Sequence, residues 1–231
     1  MTGPEGGANR RRPSVFLDHV LVPVTDLEAA AARFRDRYGL VALPGGRHPA
    51  VGTANMIIPL GHTYIELIAV VDPAEAAAFP RSARVAEAAR DGRAFATWAA
   101  RPDDLDAVRD AWARSGSELP PTQPGARTRP DGLTLRWRSQ ELSSDLEPSV
   151  LPFLIEWEVP AGLHPGEAEA DHPSRAGDIV FARFEDPDPA SAQNALENLM
   201  AGNLAFSVDA GARAGLVEVQ LEAPGGRISI P

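Results

Sequence analysis

The chain of 231 residues is long enough for one large domain or two small ones with a substantial core, and its 44% hydrophobic content is that of a folded globular protein. A formal net charge of −10 speaks against a nucleic-acid or anionic-membrane surface. The absence of cysteine excludes disulfides and thiolate metal sites and favours the cytoplasm, and no apolar run approaches membrane-spanning length.

Residues 1–13 are polar, Gly-rich and basic at Arg10-Arg11-Arg12; they lack the apolar core of a signal peptide and read as a disordered tail. Val15 to Val24 is an apolar, β-rich stretch interrupted by Asp18-His19. Thr25, with Glu28 three residues on, has the spacing of a capping box. Leu27, Ala30, Ala31, Phe34 and Tyr38 then recur at helical spacing until Gly39 stops the helix. Leu40 to Leu43 reads as a short strand, Gly45-Gly46-Arg47-His48-Pro49 as a turn, and Met56 to Leu60 as another strand. Gly61 to Val70 is an apolar, β-branched strand with one carboxylate in its middle. An unpaired buried carboxylate is costly, so Glu66 requires a cation, a donor or water as partner. Two-residue alternation puts it on the face of Tyr64 and Ile68, with Ile65 and Leu67 on the other.

Residues 72–92 form a connector whose latter part, from a cap at Ser82 to Gly92, reads as a helix. Ala94 to Arg101 is the next strand, followed by a helix from Asp103-Asp104 to near Gly116. Leu119 to Pro130 is a Pro/Gly/Thr loop, and Leu133 to Gln140 a strand. Leu151 to Glu158 repeats the earlier pattern as Phe153-Leu154-Ile155-Glu156-Trp157. The chain therefore contains two βαβββ units, residues 14–71 and 93–158. Matching Asp26-Leu27 to Asp104-Leu105 sets Thr97 opposite His19, and Tyr64-Ile65-Glu66 matches Leu154-Ile155-Glu156. Residues 159–177 form a loop with His164-Pro165 and His172-Pro173. Residues 178–231 read as a third, degenerate βαβββ-like module without His or Glu at the matching places, expected to be structural.

Leu17-Asp18-His19-Val20 before Asp26-Leu27, the Gly45-Gly46-Arg47-His48-Pro49 turn with Gly52-Thr53-Ala54-Asn55, the Glu66 strand and Pro152-Phe153-Leu154-Ile155-Glu156-Trp157 together resemble the glyoxalase-like branch of the vicinal oxygen chelate superfamily. The resemblance spans roughly Phe16 to Pro173. It implies an α+β fold of repeated βαβββ modules forming a curved mixed sheet around a cleft. It also implies a divalent metal ion (Zn, Ni, Mn, Fe or Mg) held by residues on the first and last strands of each module. Carried over residue by residue, the metal ligands are His19, Glu66 and Glu156. Thr97 stands at the third position and is a poor ligand, so His48, His62, His164 and His172 are candidates to complete the set.

Glu66 and Glu156 are the candidate catalytic carboxylates, with Glu156 the base if it is free of metal. Arg47, His48 and Asn55 are the candidate substrate-binding residues, with Arg47 or His48 meeting an anionic or carbonyl group. The expected function is a metal-dependent isomerase, lyase or dioxygenase-type enzyme on a small oxygenated substrate. The alternative is a metal-free protein that sequesters a small molecule in the same cleft against tryptophans. Since fold membership alone does not choose a reaction, substrate and chemistry stay open at this point, as does a homodimer.

Overall fold

The computed structural model describes residues 13–116, 118–142 and 148–231; of the tail expected over residues 1–13, all but Pro13 lies outside them. β1 (Val15–Pro23) leads into α1 (Leu27–Tyr38), which is capped by the Asp26 side chain accepting from the Ala29 N–H at 2.8 Å rather than by Thr25. Gly39, at φ 64°, closes α1 as expected. β2 (Leu43–His48), β3 (Thr53–Pro59) and β4 (Tyr64–Val70) complete the first module. The connector holds two helices, α2 (Pro73–Ala77) and α3 (Pro80–Arg90). Ser82 does not cap the second of these; its Oγ donates to the Val51 carbonyl at 2.6 Å and ties α3 to the first module. β5 (Thr97–Pro102), α4 (Leu105–Arg114), β6 (Gln123–Thr128), β7 (Thr134–Glu141) and β8 (Phe153–Trp157) form the second module.

The two modules share one eight-stranded sheet in the order β2-β3-β4-β1-β5-β8-β7-β6. Its centre is the antiparallel β1–β5 pair, and β1–β4 and β5–β8 are parallel. The sheet curls until its edges approach: a Cβ built on Gly46 of β2 would sit 2.6 Å from the Thr128 carbonyl of β6. Gly46 has φ 151°, a conformation that disfavours a side chain, so the close approach and the backbone both demand glycine here.

Both edge strands differ from the sequence expectation. Leu43–His48 and Gln123–Thr128 are strands, where a turn and a loop were read. Each contains a Pro-Gly step, tolerable only because an edge strand can spare a ladder hydrogen bond.

Alternation along the strands separates two apolar clusters. The convex face carries Val20, Val22, Ile65, Leu67, Trp98 and Leu154, packed with α1 and the C-terminal unit. The concave face carries Leu21, Ile68, Ala99, Phe153 and Ile155, closed at one end by Val85 of α3. The C-terminal unit keeps the element order β9 (Ile179–Asp186), α5 (Pro189–Met200), β10 (Ala205–Ala210), β11 (Gly215–Ala223), β12 (Gly226–Ile230). Its sheet order, β10-β9-β11-β12, is not that of the first module, where the last strand lies beside the first. Phe184 of β9 packs on Trp98 with ring centroids 5.6 Å apart, so this sheet covers the convex face and leaves the concave one to the cleft. Among the described residues no helix is long and apolar enough to cross a membrane.

Candidate functional site

The concave face encloses a cavity of about 200 Å³ lined by residues of both modules and α3. This is below the roughly 300–1,000 Å³ of pockets that hold drug-sized ligands, so it suits a small molecule.

The polar wall belongs to the first module. On a regular strand Asp18 and His19 would face opposite ways. A register shift between Leu17 and His19 in the β1–β5 pairing makes Asp18 the extra residue and turns it toward its neighbour. Asp18 Oδ1 lies 2.6 Å from His19 Nδ1. Asp18 also accepts from His164 Nε2 at 3.0 Å and from Trp157 Nε1 at 3.2 Å. Burial opposes ionisation of Asp18, yet the hydrogen bonds from His164 and His19 outweigh it and hold the carboxyl well below the usual range.

The other nitrogen of His19, Nε2, lies 3.5 Å from Glu66 Oε2, and the ring stacks on Tyr64 at 4.3 Å. Burial disfavours the imidazolium, but Asp18 and Glu66 on either side raise its pKa above 6.5. Glu66 is pushed up by burial and pulled down further by His19, His48 and Asn55, ending at about 2. Asn55 Nδ2 donates to Glu66 Oε1 at 2.6 Å and to His48 Nε2 at 3.3 Å. His48 Nδ1, 2.9 Å from Thr53 Oγ1, then carries the ring proton. Burial lowers the His48 pKa to about 4, so this imidazole is neutral at pH 7.

The opposite wall, from the second module, is hydrocarbon and aromatic: Phe153, Ile155, Trp137 and Trp157. Arg81 of α3 lies over the Phe153 ring at 3.6 Å and is bound to Glu141 Oε1 through Nε and Nη2 at 2.9 and 2.6 Å. Arg127 of β6 also lines the cavity.

His19, Glu66, His48 and Asn55 are therefore brought together, but Glu156 and Arg47 are not. Glu156 was expected as fourth metal ligand and base. It lies on the convex face, paired with Arg138, which also reaches Asp106 of α4. Ile155 and Trp157 are the cleft-facing residues of β8, so the match of Leu154-Ile155-Glu156 to Tyr64-Ile65-Glu66 is one residue out of phase. Arg47 is exposed and pairs with Asp72 and Glu75, because a register shift between Pro44 and Gly46 turns His48 inward instead. Ala99, not Thr97, is the residue paired with His19.

Of the remaining histidines, His164 holds Asp18. His172 joins the Val41 N–H (2.9 Å) to the Pro59 carbonyl (2.6 Å), and His62 is exposed. Asp18, buried behind His19, and the cavity-lining Arg81 and Arg127 had no role in the sequence reading. The parallel between Pro44-Gly45-Gly46-Arg47 and Pro124-Gly125-Ala126-Arg127 was the available signal for Arg127.

The donor set does not fit the metal ion that the resemblance implies. Among the described residues no three His, Cys, Asp or Glu side chains are grouped to hold one. The second module supplies Ala99 on its first strand and Ile155 on its last where ligands would have to stand, and the Asn55 amide fills the corner between His48 and Glu66 with N–H donors.

Residues 17–200 match the family described as glyoxalase-like domain. Among solved structures, a hypothetical protein from Staphylococcus aureus is 14% identical with a TM-score of 0.74, over 87% of this chain and 88% of that one. Methylmalonyl-CoA epimerase from Mycobacterium tuberculosis is 23% identical with a TM-score of 0.39, over 55% and 78%. A Streptomyces coelicolor methylmalonyl-CoA epimerase variant in complex with 2-nitronate-propionyl-CoA is 18% identical with a TM-score of 0.44, over 61% and 92%. No curated protein matches. With most of its length matched and its modules curled around one cleft, the chain belongs to the glyoxalase-like domain family and has the fold of the vicinal oxygen chelate superfamily.

Proposed function

We propose that the chain is an enzyme of isomerase or lyase type that moves a proton on a small oxygenated molecule held in the cleft. Glu66 acts as base and His19 as donor to the oxygen on which charge develops. The observation that supports this reading is the open 3.5 Å contact of His19 Nε2 with Glu66 Oε2 inside the cavity, with the other side of the imidazole locked by Asp18.

A carboxylate held at about 2 is a weak base. The His19 hydrogen bond is the largest interaction lowering it. A substrate carbonyl that accepts from His19 Nε2 takes that donor away, so Glu66 gains proton affinity only when a substrate is in place. The imidazolium then faces the developing oxyanion, where a preorganised charged donor is most effective. Asn55 keeps the carboxylate aimed.

The test is deuterium exchange. A panel of small 2-oxo acids, 2-hydroxy ketones and 1,2-dicarbonyls is incubated with the protein in deuterium oxide, and loss of the proton signal next to the carbonyl is followed by NMR. At least one compound should exchange, and Glu66→Gln and His19→Gln should each slow it by roughly 10²–10⁴-fold. A panel that stays unexchanged, or exchange untouched by both variants, would reject the reading. The aromatic wall of Trp137, Trp157 and Phe153 favours a second reading, a protein that only sequesters its ligand. Binding of panel members without exchange is its signature.

A further inference from the structure

Apart from one arginine, the ionised groups around the cleft each touch a group of opposite charge. His19 stands between Asp18 and Glu66, and Arg81 is committed to Glu141, which also takes Arg84. His48 is neutral at pH 7. Arg127 is left over. It is only 4% exposed, and among the described residues its guanidinium makes no hydrogen bond and no ion pair.

Its nitrogens are not among the buried polar atoms sealed off without a partner, and the residue is part of the cavity wall. A guanidinium has five donors and no acceptor, and an uncompensated buried charge costs several kcal/mol. An anion placed in the cavity beside it would offset that cost.

We propose that the cleft selects a small monocarboxylate whose carboxylate is taken by the Arg127 guanidinium, with its body against Trp137 and Ile155 and toward the His19–Glu66 pair. The planar fork of arginine matches the two oxygens of a carboxylate. The ligand carries one negative charge, because among the described residues no carboxylate touches the Arg127 guanidinium, while Glu66 is already an anion on the same cavity and acts on Arg127 only at a distance. A phosphate monoester would leave surplus negative charge in a confined space. The assignment names the substrate class for the proton-transfer reading of the same cleft and rests on that cleft being a ligand site.

The test compares matched ligand pairs by calorimetry and thermal shift at fixed ionic strength: acetate, isobutyrate and benzoate against acetamide, isobutyramide and benzamide. At least one carboxylate should bind wild-type protein about ten-fold or more tighter than its own amide, the size of one charge-assisted hydrogen bond. Arg127→Met should bring the pair within about two-fold, and Arg127→Lys should keep only part of the preference. Glu66→Gln, which removes a negative charge from the cavity, should keep or strengthen the preference while slowing deuterium exchange by roughly 10²–10⁴-fold, so the two proposals fail separately.

No preference for any carboxylate in wild-type protein, or a preference that survives Arg127→Met, overturns the assignment. So does inorganic phosphate binding more tightly than every carboxylate. Should Arg127→Met not fold, the wild-type pairs and Arg127→Lys decide the question alone.

Discussion

Asp18 and His19 are consecutive residues of one strand, yet their side chains are hydrogen-bonded at 2.6 Å. The single extra residue in β1 against β5 makes this possible. It gives the imidazole a carboxylate behind it and leaves Nε2 free to face Glu66, the orientation that a proton-handling histidine needs.

Asp18→Asn keeps an acceptor but removes the charge. His19 should then lose much of what raises its pKa. In the proposed mechanism its protonated form is the active one, so the rate falls as pH rises through the His19 pKa. In Asp18→Asn that alkaline limb should move to lower pH, read from exchange rates between pH 6 and pH 9. An unmoved limb would assign it to another group.

His48 gives a stability prediction of definite sign. Its folded pKa is lowered to about 4 from 6.5, so the unfolded state binds the proton more readily and stability falls as pH drops from 6.5 towards 4. The loss attributable to this group is of the order of 3 kcal/mol. Glu66 acts in the next window, losing its contribution as pH falls from 4.5 towards about 2. Urea unfolding of wild-type protein and His48→Gln at pH 7 and pH 4.5 isolates the histidine: the variant should show a shallower fall.

Glu156→Gln should change stability by no more than about 1 kcal/mol, since it loosens a partly exposed pair with Arg138 on the convex face. Deuterium exchange and ligand binding should be unchanged. A loss of exchange of ten-fold or more would restore Glu156 to the site.

Gly125 lies directly under the Trp137 ring, and a Cβ there would overlap the indole. Gly125→Ala should cost about 1–3 kcal/mol by overpacking and shift the tryptophan emission. Unfolding curves and fluorescence spectra check both.

Removal of divalent ions with a chelator should leave exchange and carboxylate binding intact, since the cleft's donors do not gather around a metal. Exchange that vanishes on chelation and returns only with an added divalent ion would reverse this.

Much of the architecture was legible in the residues. Apolar alternation in β4 put Glu66 with Tyr64 and Ile68 on one face, and that is the cleft face. The resemblance implied the modules and the curved sheet. What could not be read was phase. Glu156 follows the same local pattern as Glu66, but which face it takes depends on pairing with β7, where it stands opposite Arg138. Arg47 and Arg127 close nearly identical Pro-Gly segments. One residue of bulge in β2, absent from β6, sends the first outward and the second inward. The arginine singled out from the sequence, Arg47, is the one that faces outward. Asp18 was hidden for the same reason, since strict alternation assigns it to the face away from His19.

The edges of the barrel-like sheet meet where Gly46 passes the Thr128 carbonyl, and no backbone ladder joins them. His48 stands on one lip of that seam and Arg127 on the other. The width of the slit is therefore a ruler. It sets how long a molecule can be and still touch Arg127 at one end and the imidazole cluster at the other. Any side chain placed at position 46 would press on the Thr128 carbonyl and on the Arg127 stem at once, so it would shift one end of the ruler as it wedged the slit.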